Sequence, residues 1–115
     1  MKIAIIINES TADKCTGKGC LNAFHQRKDA FECYDEHVEL VGFMHTGGDF
    51  EHKVKRLIEN DVEVVHLSSC LRAKNDDYVQ MAHELSKHFS VVGYSHGQRT
   101  GKSKEAIMVK KQVQP

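Results

Sequence analysis

Four short apolar runs, helically spaced segments between them and no linker or repeat predict one fold class. It is a small doubly wound α/β domain, flavodoxin- or Rossmann-like in outline, with about four parallel strands and helices on both faces. The first strand is the uninterrupted run Ile3–Ile7, which suits burial on both sides of a sheet. VELVGFM over Val38–Met44, VEVVHL over Val62–Leu67 and SVVGY over Ser90–Tyr94 supply the other three. Leu21–Phe31 reads as the first helix, with Leu21, Phe24 and Phe31 facing inward. In Phe50–Asn60, Val54, Leu57 and Ile58 fall on one helical face. In Asp76–His88, Val79, Ala82 and Leu85 do the same, with Asp76 as a candidate cap.

Composition narrows the functional classes. The 115 residues are 40% hydrophobic and 28% charged, enough for one soluble domain with its own core. Lys plus Arg equals Asp plus Glu at 16 each, so no global field points to nucleic acid or a membrane surface. The opening run is too short for an export signal or a membrane span, so a cytoplasmic, reducing setting is expected. There, neighbouring cysteines more often bind metal or do redox work than form structural disulfides. Residues 1–97 are expected to form the domain, and 98–115 a basic extension carrying Arg99, Lys102, Lys104, Lys110 and Lys111 against Glu105. A solvated tail is the preferred reading of that extension. Docking of Ala106–Val109 as a last helix or strand, or pairing with another copy in a homodimer, is the alternative.

A parallel sheet gathers the loops that leave the carboxyl ends of its strands, and ligand sites form along that edge. Here those loops carry Cys15 and Cys20; then His45, Thr46, Gly47, Gly48 and Asp49; then Ser68, Ser69 and Cys70; then Ser95, His96 and Gly97. Three of four cysteines and two of eight histidines are therefore expected on one edge.

Asp13-Lys14-Cys15 leads into Cys-x-Gly-x-Gly-Cys at 15–20, followed by Leu21 and Ala23-Phe24. VELVGF at 38–43, Gly-Gly at 47–48, HLSSC at 66–70 and a valine-rich last strand running to His96 complete the pattern. In this the chain resembles the CGGC domain family, small proteins proposed to bind metal. The resemblance implies a cysteine-rich site, yet the name-giving cysteines fall on Thr46 and Asp49, giving HTGGDF. A Cys-Pro pair usual beyond the third strand is also missing, where LRAKNDDYVQ stands instead.

Several chemistries stay open. Tetrahedral zinc takes four N, S or O donors at about 2.0 to 2.3 Å. Cys15, Cys20 and Cys70 with one of His45, Asp49 or His96 would make a Cys₃His or Cys₃Asp set for zinc or iron, and Asp49 could orient a ligating imidazole. A thiol redox pair of Cys15 and Cys20 beside Lys18 is the second reading. An anion or small-molecule site on the backbone N–H groups of Gly47 and Gly48 is the third. The fourth is a degenerate domain whose cysteines only pack in loops.

Enzymatic readings fare worse. Position 21 is Leu21 where a phosphatase loop needs arginine, and GQRTGKS at 97–103 has one residue too few for a P-loop. Nothing assembles a nucleophile–base pair, so the chain reads as a binding or redox module more than an enzyme. His66, inside a strand, is expected as a buried, hydrogen-bonded core residue, and Cys33 as incidental. His25, His37, His52, His83 and His88 are expected on the solvated surface. Gly47, Gly48, Gly17 and Gly19 can each serve a turn, and Asp49 can be a plain helix N-cap.

Overall fold

The isoleucine run becomes the central strand. In the computed structural model, which describes residues 1–100 and 105–112, β1 (Lys2–Ile7) lies between β2 (Glu39–His45) and β3 (Val64–Leu67). β4 (Ser90–Val92) pairs parallel to β3, and β5 (Met108–Val109) runs antiparallel to β4, giving the order β2-β1-β3-β4-β5. Side-chain alternation along each strand then builds two cores. Ala4, Ile6, Val65, Leu67 and Val91 face α3 (Phe50–Glu59) and α5 (Tyr78–Leu85) on one side. Ile3, Ile5, Ile7 and Val64 face α2 (Lys18–Gln26) and a 3-10 turn (Asp29–Phe31) on the other. Ile3 to Ile6 have no exposed surface, which is why their sequence shows no polar alternation. Two short helices complete the chain, α1 (Glu9–Ala12) and α4 (Ser69–Lys74). No described helix is long and apolar enough to cross a membrane.

Several elements differ from expectation for local reasons. The first helix starts earlier and ends earlier than 21–31. Gly17 at φ 83° turns the chain into it, and Arg27 at φ 52° closes it. Phe31 is fully buried, but from the 3-10 turn, and Leu21 is only half-buried because Cys20, Ala23 and Phe24 form the inward face. In α5 the inward row is Tyr78, Ala82 and Leu85; Val79 is 52% exposed. Its N-cap position is Asp77, one after Asp76, and makes no side-chain cap bond. In α3 Ile58 is also exposed, and Phe50, Val54 and Leu57 pack inward instead. Asp49 does cap α3, accepting the His52 N–H at 3.1 Å.

The sheet has five strands, not four, because part of the basic tail docks. Tyr78 explains how: its hydroxyl donates to Gly93 O at 2.7 Å and accepts from Ile107 N at 3.0 Å. The phenol passes so close to Gly93 that a Cβ there would lie 1.9 Å from its oxygen. Lys102 and Lys104 of the tail, and the end of GQRTGKS, fall within residues 101–104, outside the described residues, as do 113–115.

Candidate functional site

Strand order places a switch point between β1 and β3, where the chain leaves β1 toward one face and β3 toward the other. Asn8 ends β1 there, buried, and its side chain meets Asn75 at 3.3 Å. Ser68 ends β3 and caps α4, accepting the Leu71 N–H at 3.2 Å. Cys70 is the second residue of α4 and its sulfur lies 2.8 Å from Ser68 Oγ. Beyond β4, Ser95 is fully buried and its Oγ lies 3.0 Å from Cys20 Sγ. The same Oγ accepts the Ser69 N–H at 3.4 Å. Ser69 Oγ in turn donates to His96 O at 2.6 Å. Hydroxyls from β3 and β4 thus knit together the loops that carry Cys20 and Cys70.

Both sulfurs belong to one apolar cluster: Cys20 is a buried member and Cys70, half-buried, packs against it. Burial pushes the Cys20 thiol above its ordinary value, the Ser95 hydrogen bond opposes that rise, and negative charge on Cys70 or Cys15 adds to it. Cys20 is therefore a protonated thiol at neutral pH. Cys15 differs: it is exposed, and its sulfur accepts the Gly17 N–H at 3.3 Å. His96 is exposed, with its imidazole lying over Gly19, where a Cβ would meet Nε2 at 2.9 Å. Gly17 thus supplies positive φ, whereas Gly19 leaves room for a ring.

The β2 loop is committed to structure. His45 Nδ1 accepts the Gly47 N–H at 2.9 Å, and Thr46 Oγ1 accepts the Glu9 N–H at 3.0 Å. Asp49 is the α3 cap. Gly48 takes φ 67°; Gly47 does not, and the end of the exposed Glu9 side chain lies where its Cβ would be. Among the described residues, no group of three or more His, Cys, Asp or Glu is placed to hold a metal ion. As placed, the donors do not make a preformed zinc or iron centre.

His66 is fully buried in β3, its ring tilted 34° against Phe31 with centroids 4.4 Å apart. Its Nδ1 meets Tyr94 O at 3.2 Å and its Nε2 meets Tyr34 Oη at 2.7 Å. A carbonyl can only accept, so Nδ1 carries the proton and Nε2 accepts from the phenol. Burial lowers the His66 pKa to about 4, so the ring is neutral at pH 7. This is the structural histidine expected from its place in a strand. Its role is to hold Tyr94, and with it the turn into Ser95. His25, His37, His52, His83 and His88 are all exposed, as expected, and Cys33 is exposed too. A groove of ≈ 600 Å³ between α3 and α5, lined by Phe50, Val54, Ile58 and Met81 among others, contains no cysteine.

The residues that sequence reasoning misses are the hydroxyls. Ser68, Ser69 and Ser95 are legible as strand-end residues, but their contact with sulfur depends on pairing across distant loops. Tyr34 carries no local signal at all, since its partner is 32 positions away. Comparison with known proteins gives no match to a curated protein or to a solved structure. A family model described as the CGGC domain matches residues 2–96, most of the chain and all of the site described above. With that span covered, the chain belongs to the CGGC domain family.

Proposed function

We propose that the domain is a thiol redox module whose reacting groups are Cys15 and Cys20. The supporting observation is their contrast within one loop: Cys15 is exposed, while Cys20 is 4% exposed and protonated beneath it. An exposed thiol engages an external partner first, and a buried one resolves the product. With a small disulfide such as oxidised glutathione, the Cys15 thiolate attacks one sulfur and expels the first thiolate. Cys20 then gives up its proton, attacks Cys15 and expels the second. Two cysteine thiols lose two protons and two electrons, and the incoming disulfide becomes two thiols.

A second reading, binding of zinc or iron, is supported by family membership and by the approach of three sulfurs to one edge. It would use Cys15, Cys20 and Cys70 with one of His45, Asp49 or His96, after rotation of side chains now engaged elsewhere. Gly47 and Gly48 remain candidates for a small ligand through Gly48, since the Gly47 N–H is already bonded to His45.

One measurement separates these readings. Metal content and free thiols are determined together on protein purified without chelator, beside a Cys15→Ser/Cys20→Ser variant. Little metal, and the loss of two free thiols on mild oxidation that the variant does not show, is the expected result. Near-stoichiometric zinc or iron that the variant loses would replace the redox reading with the metal one. Thiols that stay reduced, without metal, would sink both.

A further inference from the structure

Cys70 is the third sulfur at the carboxyl edge, and exchange between Cys15 and Cys20 makes no use of it. It packs against the cluster that buries Cys20. Ser95 Oγ spans the gap, 3.0 Å from Cys20 Sγ and 3.4 Å from the N of Ser69, the residue before Cys70. Each of the two thiols rests against a serine hydroxyl, Cys20 against Ser95 and Cys70 against Ser68. Charge on Cys70 also acts on Cys20 more strongly than charge on Cys15 does. Cys70 is half-buried, so a small oxidant has less access to it than to Cys15.

Building on the redox reading above, we infer that the loop passes its disulfide inward, from Cys15–Cys20 to Cys20–Cys70. The Cys70 thiolate attacks Cys20 Sγ of the first disulfide. The Cys15–Cys20 bond breaks, Cys15 leaves as thiolate and takes up the proton that Cys70 released. No electrons are gained or lost in this step; the external disulfide consumed earlier remains the only oxidant. Cys15 is returned to the surface reduced, and the oxidised form ties the loop after β1 to α4 across the switch point. Attack on a disulfide sulfur by a neighbouring thiolate is the ordinary route of such isomerisation.

The test uses the whole chain and the sequence's own cleavage sites. Trypsin puts each cysteine on a different peptide: 15–18, 19–27, 29–53 and 57–72. Reduced protein is exposed to oxidised glutathione, quenched with acid, alkylated and digested without reductant, and crosslinked peptides are identified by mass. The expected product joins 19–27 to 57–72, with Cys15 alkylated as a free thiol. Cys70→Ser should stop at a link between 15–18 and 19–27, and Cys15→Ser should slow formation of the inner disulfide at least about tenfold, because buried Cys20 meets the oxidant poorly. A wild-type end product linking 15–18 to 19–27, with Cys70 free, overturns the relay and leaves the redox reading standing. Cysteines that remain thiols or stop as glutathione adducts overturn both. As an independent readout, the Cys20–Cys70 bond closes a much longer loop than Cys15–Cys20, so the oxidised wild type should melt above the oxidised Cys70→Ser variant relative to their reduced forms.

Discussion

Two stretches of the same sheet edge have taken opposite courses. The loops after β1, β3 and β4 bring three sulfurs and three serine hydroxyls toward one another, with Cys20 Sγ and Cys70 Sγ each held by a single weak partner. The loop after β2, where Thr46 and Asp49 stand in place of the family's paired cysteines, uses its polar atoms for backbone bonds. One half of the edge gathers thiols and hydroxyls, and the other is a capped turn. A loop without the paired cysteines can stay a well-made turn because Asp and Thr satisfy backbone donors that thiols satisfy poorly.

The comparison can be strained at the support under each half. The largest effect belongs to His66, which bonds to the carbonyl of Tyr94, the residue before Ser95 on the sulfur-bearing half. Its folded pKa of about 4 lies below the ordinary histidine value, so the unfolded chain binds the proton first as pH falls. The neutral ring's contribution is intact above about pH 6.5 and declines from there to pH 4, by roughly 3 kcal/mol over the window. Denaturation of wild type against His66→Gln across that range should show the difference; parallel curves would mean the ring titrates normally. Tyr34→Phe removes the phenol that donates to His66 Nε2 and should cost about 1–3 kcal/mol by urea titration. A loss below a few tenths would show that the ring does not depend on that donor.

On the other half, Thr46→Cys/Asp49→Cys puts back the two thiols. If the two halves face one site, zinc affinity should rise at least about tenfold, roughly 1.4 kcal/mol, in a chelator competition. Unchanged affinity would mean that the halves never shared a ligand. The smallest effect is Asp49→Ala, about 1 kcal/mol of stability from the lost α3 cap, with thiol oxidation unaltered. A change in oxidation rate would show the β2 loop to be coupled to the sulfurs after all.

Much of this architecture is legible in the order of the residues alone. Ile3–Ile7 reads as a doubly covered strand because full burial leaves no polar positions, and His66 reads as structural because it interrupts such a strand without a gap in the pattern. The carboxyl edge follows from strand–helix alternation, which orders loops whatever their length. What stays hidden depends on partners remote in sequence. The short α4 is held by the Ser68 cap and by Arg72 bonding to the carbonyls of Gln98 and Arg99. Ala82 and Leu85 turn inward as their spacing predicts, but Val79 gives way to Tyr78, which is drawn inward by its bonds to Gly93 and Ile107. β5 is two residues long, so its strand character comes from pairing with β4 and not from its own pattern.

That last strand has a consequence for how the protein is made. Val91 and Val92 pair with Val109 and Met108, residues synthesised well after them. Until the ribosome has released that segment, β4 is an uncapped margin with open backbone groups, a template for the wrong neighbour. Nascent chains stalled between β4 and β5 should therefore be the species most dependent on chaperones.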